Sequence, residues 1–398
     1  MTDCCILGAG IIGLSVAREL AGRGLSVCVV ARDRVRDTTS WAASGIFPPA
    51  PTSADAAPNE RLTAFSDALH RRWAVELRDE TGIDNELDPC GGLHVAEDGT
   101  GATRLAAMAA DLRARGVRCE SLTAAEVAGV EGVLAAAVRE GRIVGGLLVP
   151  DEMRIRPPRH LAALEASCRA RGVRFVEDAA VRDFVIRGDR IAGAVLEMAH
   201  GASPPAAVTA ERYCLAAGAW SGPLAARLGM AIETRPIRGQ IALLRLPAPL
   251  LHRVINVGLS YLVPRTDGRL LAGSTLEDVG FDASTTPETI DRLLAFAHRL
   301  LGPLPDAVIE RSWAGLRPAS ADGLPYLGRV PGFANAFIAA GHFRAGLHQS
   351  TGTAVLLADL MSGRPPILDP LPYDPGRRPV AGSPGSLEAM LRRAAEES

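Results

Sequence analysis

The stretch CCILGAGIIGLSVARELAGRGLSVCVVARD, residues 4–33, decides how the chain begins to fold. Cys4 to Leu7 is a short apolar run of strand length. Gly8-Ala9-Gly10-Ile11-Ile12-Gly13 follows, and Val16, Ala17 and Leu20 then recur at helical spacing. Gly22 and Gly24 end that helix, and Ser26 to Val30 reads as a second buried strand. Strand, tight turn, helix and strand within about 30 residues is the context in which GxGxxG signals a dinucleotide site. Gly8 permits the turn, Gly10 lets the backbone approach a pyrophosphate, and Gly13 lets helix and strand pack closely. The helix N-terminus offers free N–H groups and a positive dipole end. The competing explanation, a glycine-rich turn in an unrelated α/β domain, does not require all three elements. The tip of the second strand reads Ala31-Arg32-Asp33. Asp33 stands about 20 residues beyond the turn, where a carboxylate meets a ribose, whereas Arg32 suits a 2′-phosphate. The motif alone leaves NAD, NADP and FAD open.

The bulk of the chain narrows the partners. Its 398 residues, 47% apolar, suffice for two domains or one large domain with an insertion. The net charge is -2 and no long charged run occurs, which argues against nucleic acid and anionic membrane. No apolar run is long enough to span a bilayer. A strand beginning at Cys4 leaves no room for a signal peptide, so a cytoplasmic location is expected. The seven cysteines include no Cys-x-x-Cys pair, and Cys4, Cys5, Cys28 and Cys214 fall in buried strands as small apolar residues. The eight histidines show no metal-binding spacing, so no metal is expected. Every one of the 43 basic residues is Arg. The lack of Lys excludes a Schiff-base lysine and a Walker lysine. GAWSG, 218–222, has the wrong spacing for a nucleophile elbow.

After the second strand, RDTTSWAASGIFPPAP (36–51) supplies small and hydroxyl residues suited to lie against a flat ligand, with Gly45 allowing close approach. Helices are expected over 62–77, 105–115, 124–130, 159–171 and 287–301. Strands are expected over 91–98 and in VRFVEDAAVRDFVIRGDRIAGAVLE, with a turn at Gly188-Asp189. RYCLAAGAWSG (212–222) is a late strand running into Gly218, where a doubly wound sheet places its ligand contacts. RPIRGQIALLRL and YLVPRTDGRLLAGST belong to a strand-rich second region. The last residues, SLEAMLRRAAEE, form a short amphipathic helix best read as a solvated tail.

Residues 313–347, WAGLRPASADGLPYLGRVPGFANAFIAAGHFRAGL, carry the second constellation. NAFIAAG is a strand ending at Gly341, and a long helix follows HFRAGL. Its N-terminus suits negative charge developing in the crevice. Arg317 precedes Pro318 and therefore lies in extended backbone. Arg317 and Arg344 are candidates to hold a carboxylate in bidentate geometry. Pairing with structural carboxylates is the equally simple alternative.

On these motifs the chain, from Cys4 to about Met361, resembles the D-amino acid oxidase superfamily of FAD enzymes. It is most similar to the glycine oxidase branch. WAGLRP, DGLPYLG and AAGHFRAG look like that branch's C-terminal signature, and YLVPR, PIRGQ and AGST…EDVGFD match the superfamily. The resemblance implies a Rossmann-like FAD-binding domain of α/β class, with an interleaved strand-rich substrate domain. The expected division is 1–85, 145–222 and 310–370 for FAD, 86–144 and 223–309 for substrate, and 371–398 as the tail. It makes Asp33 the ribose partner, with Arg32 beside it. It places Ile11 and Ile12 in the pyrophosphate turn, with Thr39, Ser40, Ser44, Gly45 and Ile46 in a second flavin loop. Val181 is expected at the adenine. His342, Phe343, Arg344, Ala345, Gly346 and Leu347 are expected along the pyrimidine end. Arg317 and Tyr261 then grip the substrate carboxylate, with Arg344 as the second arginine.

The implied activity is oxidative deamination of glycine, sarcosine or a small D-amino acid. The Cα hydride of the neutral amine goes to flavin N5, the imine hydrolyses to an oxo acid and ammonia, and oxygen becomes peroxide. No Cys lies in the WAGLRP region, so the FAD is expected to be non-covalent. Two departures bear on substrate: Leu259 stands where some glycine oxidases carry His, and Leu276 where a Met can occur. Two alternatives are a dehydrogenase passing electrons to a quinone or partner subunit, and a tailoring flavoprotein acting on a larger or carrier-bound amine. A homo-oligomer stays open.

Overall fold

The computed structural model describes all residues except 1, 33–37, 54, 199–206, 305, 380–386 and 397–398, and no side chains beyond 392. Asp33 thus lies outside the described residues. The opening unit folds as read: strand Thr2–Leu7, helix Ile11–Gly22, strand Val27–Val30. Thr2–Leu7 pairs in parallel with Val27–Val30 on one side and with Ala210–Leu215 on the other. Two further strands extend the sheet beyond Ala210–Leu215, namely Ala336–Ala340 and the antiparallel edge Tyr326–Arg329, and Arg174–Val176 closes the other side. Chain order reverses at Thr2–Leu7, and such a switch point opens a ligand crevice at the carboxyl ends of the strands. All four strand cysteines, 4, 5, 28 and 214, are fully buried.

Helices Ile11–Gly22, Pro157–Ala170 and Gly346–Ser362 cover one face of this sheet through an apolar cluster that includes Ile6, Leu14, Leu161, Cys214 and Leu357. The hairpin Ala179–Arg187/Arg190–Met198 packs on the other face.

A second sheet has eight strands, in the order Val308–Ala319, Arg235–Arg245, Arg269–Gly273, Ser260–Pro264, Val254–Val257, Gly92–Ala96, Gly145–Val149, Glu120–Thr123. Strand alternation splits its side chains between two faces. Leu93, Ile255, Leu262 and Ala272 pack under helix Pro287–Leu301. Tyr261, Val263, Val254 and Ile241 point the other way. Strands Gly145–Val149 and Val308–Ala319 belong to this sheet, although the first and nearly all of the second fall within the expected FAD-binding segments 145–222 and 310–370. Neither segment carries a local signal that favours one sheet, and only pairing with Gly92–Ala96 and Arg235–Arg245 assigns them.

The helix Leu387–Glu396 also departs from expectation. Leu387 is 2% exposed and packs with Ile237, Ala319 and Phe343, with Met390 and Leu391 against the same cluster. Its apolar stripe is docked rather than solvated. Among the described residues no helix is long and apolar enough to cross a membrane.

Candidate active site

One cavity of about 1130 Å³ runs between the two sheets. The glycine turn forms one wall, with Gly8, Gly10, Ile11 and Ile12 all facing it. Gly8 has φ +126°, and a Cβ there would strike the Ala216 carbonyl. Gly13 does not line the cavity, because it lies against the Gly8 carbonyl and fixes the turn onto the helix. Gly10 provides no side-chain cap to the helix. The Ile11 N–H instead donates to Ser40 Oγ at 2.9 Å, which ties the second loop to the first.

That second loop brings Thr39, Ser40, Ser44 and Ile46 to the cavity. Thr39 bonds Leu316 through both its donor and acceptor functions, at 3.1 and 3.2 Å. The indole of Trp313 donates to the Ala42 carbonyl at 3.0 Å. Two segments some 270 positions apart are thereby stapled together. Gly45, at φ +79°, is packed against the Ile155 carbonyl and is absent from the lining. Arg265, which the sequence reading missed although it closes YLVPR, donates to the carbonyls of Ser44 (2.7 Å) and Ile155 (2.8 Å). Burial pushes its guanidinium down to about 10. The only sequence signal was an Arg directly before a Thr-Asp-Gly turn.

Val181 and Gly218 line the same cavity, as does Arg32, whose guanidinium lies 4.1 Å from the centre of the Trp220 ring. His342 to Leu347 complete the rim, while Gly341 sits behind it against Tyr326. Phe343 holds φ +49°, a strained value for an aromatic residue, and its N–H donates to the Pro318 carbonyl at 2.8 Å. His342 is buried and contacts Thr353 Oγ1 at 3.0 Å; burial pushes its imidazole down to about 3.

Opposite the turn stand Tyr261 and Arg317. The Tyr261 ring lies over Gly273, where a Cβ would come within 2.6 Å. Arg317, half-buried, lies over Gly239 and donates to the Thr275 carbonyl at 3.0 Å and Ser274 Oγ at 2.9 Å. Among the described residues no carboxylate pairs with Arg317 or with the exposed Arg344, so the structural-pairing alternative is not realised. Desolvation pushes the Arg317 guanidinium down to about 10; Tyr261 opposes this and Arg344 adds to it. The site is thus a slot with two unneutralised guanidinium groups, suited to a carboxylate. Leu259 lines the slot, whereas Leu276 packs beside Phe343. Further polar lining residues, among them His94, Glu152 and Asn256, carry no sequence motif.

Residues 3–360 match the family described as FAD dependent oxidoreductase. The chain belongs to that family. It is 36% identical over 375 residues to a glycine oxidase of Pseudomonas aeruginosa, covering 94% of this chain and 98% of that one. The glycine oxidase of Geobacillus kaustophilus is 32% identical, with 93% and 96% covered. Its crystal structure superposes with a TM-score of 0.85 at 31% identity, covering 94% of this chain and 98% of that one. The glycine oxidase of Bacillus cereus gives a TM-score of 0.84 at 27% identity, covering 96% and 100%. FAD is the cofactor of this oxidoreductase, and the crevice fits it: a helix N-terminus whose N-cap Gly10 adds no side chain, a turn closed to any Cβ, and one continuous cavity linking that turn to Arg317.

Proposed function

We propose that this flavoenzyme oxidises glycine or another small α-amino carboxylate to the oxo acid, with ammonia and hydrogen peroxide as co-products. The single observation that carries the substrate class is Arg317: a guanidinium at the cavity wall, bonded to neutral oxygens and, among the described residues, paired with no carboxylate. FAD held in this crevice would supply the two-electron redox chemistry for oxidation of the amine.

The protein's part is orientation and electrostatics. Arg317 holds the substrate carboxylate, Tyr261 stands beside it, and Arg344 closes the rim. Ile11, Ile12 and the glycine turn hold the pyrophosphate, and Thr39 to Ile46 with His342 to Leu347 frame the flavin. His342, kept neutral by burial, adds no positive charge there. In this reading the first sheet carries the cofactor and the second carries the substrate. Oxygen as acceptor and a cytoplasmic location belong to the same proposal. Seven free cysteines support the latter. The quinone-linked and tailoring alternatives are less favoured, because relatives matched over nearly their full length are named glycine oxidases.

The test is anaerobic mixing of the yellow holoenzyme with glycine, sarcosine and small D-amino acids, followed at the flavin absorbance. Bleaching, then recovery with peroxide on admitting air, is the expected result. A flavin that no free amine bleaches overturns the proposal. Bleaching without reoxidation by air overturns the acceptor alone.

A further inference from the structure

Arg317 and Arg344 come from different segments, and a short antiparallel contact sets them side by side. Ala319 bridges His342, and one step on, the Phe343 N–H donates to the Pro318 carbonyl at 2.8 Å. The next residues along, one on each chain, are Arg317 and Arg344. Antiparallel order makes them neighbours, and both line the cavity. Their charges are close enough to repel: after burial, Arg344 is among the causes that disfavour the charged form of Arg317.

The two arginines are held differently. Arg317 is pinned, with one N–H on the Thr275 carbonyl and one on Ser274 Oγ. A guanidinium carries more N–H groups than these two bonds consume, and enough remain to grip one carboxylate in bidentate fashion. Arg344 is exposed at the rim and makes no hydrogen bond, ion pair or ring contact among the described residues. The chain's own acids are spent elsewhere. Glu277, whose charge favours a charged Arg317, is bound by Arg238 and Gln240. Glu152 is buried over Gly92, and Glu197 belongs to the hairpin strand Arg190–Met198, which packs against the first sheet. Once a single carboxylate sits on Arg317, the positive charge of Arg344 is still unbalanced on the same stretch of wall.

We infer that Arg344 reads a second carboxylate, so that the preferred substrate is a small amino acid carrying one, on its side chain or on its nitrogen. Arg317 takes the α-carboxylate and thereby fixes the reacting carbon, while Arg344 takes the other at the rim. Neighbouring arginines call for carboxylates only a few atoms apart, as in aspartate or iminodiacetate. The inference rests on the oxidase reading and refines its substrate.

The experiment compares each dicarboxylate with its isosteric monoamide by anaerobic flavin reduction in the holoenzyme, with glycine as the reference. Aspartate is set against asparagine of the same hand, each hand separately, and iminodiacetate against its monoamide. The first pair reports a carboxylate on the side chain, the second one on the nitrogen. In the wild-type enzyme, kcat/KM for the dicarboxylate of at least one pair should exceed that for its amide by about 10-fold or more, the scale of a hydrogen bond between charged groups. Arg344→Gln should bring that ratio close to one, and Arg344→Lys should keep part of it. The ratio cancels any loss common to both members of a pair. A readout without turnover is the flavin absorbance change on titration with succinate against succinamate, whose Kd values should show the same preference and lose it in Arg344→Gln. If Arg344→Gln does not retain flavin, Arg344→Lys takes its place, and a ratio equal to wild type then overturns the inference. An Arg344 that is only solvated leaves every ratio near one while glycine still bleaches the flavin, and this inference fails alone. A preference that survives Arg344→Gln also overturns it, because the second carboxylate is then read elsewhere. Should no amine bleach the flavin, the oxidase reading falls and this falls with it.

Discussion

Arg317 and Gly239 are locked in one arrangement: the guanidinium occupies the space that a side chain at 239 would need. Gly239 lies diagonally across from Arg317, because Ile237 is the residue directly paired with it. The bare backbone at 239 is therefore the floor on which the proposed carboxylate grip rests.

Gly239→Ala should move the grip without unfolding the protein, since what must yield is the far end of a flexible side chain. A shift of about 1 Å at a reacting centre can cost roughly 100-fold. Steady-state kinetics per bound flavin should show a large loss on carboxylate substrates with normal flavin content. Unaltered kcat/KM would mean that Arg317 does not need this position.

Arg317→Leu should cost about 2–5 kcal/mol of substrate stabilisation, or roughly 30- to several-thousand-fold in kcat/KM. Lys at 317 should rescue only partly, as a point charge lacks the bidentate fork. The flavin spectrum should survive. Normal reduction kinetics in Arg317→Leu would remove this residue from the site and leave Arg344 as the carboxylate candidate.

Arg265→Met should loosen the loop that carries Ser44. Two carbonyls lose their donor, at about 1–3 kcal/mol each if left unsatisfied. The thermal midpoint should drop and be partly restored by excess FAD, because ligand binding stabilises the native state. A midpoint and an FAD affinity both equal to wild type would show that Arg265 is dispensable.

Acid should lower stability through three buried imidazoles, His70, His160 and His342, all pushed down by burial. Burial pushes both His160 and His342 down to about 3, from 6.5. Between those values the unfolded chain binds more protons than the native one, so stability falls as pH drops below about 6.5 and is level above it. Each group contributes at most about 1.4 kcal/mol per pH unit within that window. Denaturant midpoints should decline from about pH 7 to about pH 5, and less steeply in His160→Gln. An identical slope in the variant would sink the assignment.

Acid precipitation should release the flavin into the supernatant, because no Cys lines the cavity among the described residues. Colour retained in the washed pellet would reveal a covalent link.

The sequence alone determined the elements whose information is local. The glycine turn, its two strands and helix Ile11–Gly22 are contiguous, and helices Ala124–Val130 and Pro287–Leu301 follow from periodicity, caps and proline. The strand–turn–helix around His342 was legible for the same reason. Only the tertiary structure decided which strands share a sheet, since nothing local in Gly145–Val149 or Val308–Ala319 names the partner strand. It alone set Arg317 over Gly239, tied Ser44 to Arg265, and lined up His94, Asn256 and Tyr261. Such relationships depend on the register between distant strands. A one-residue slip would turn every one of these side chains to the opposite face, and nothing within a single segment encodes that register.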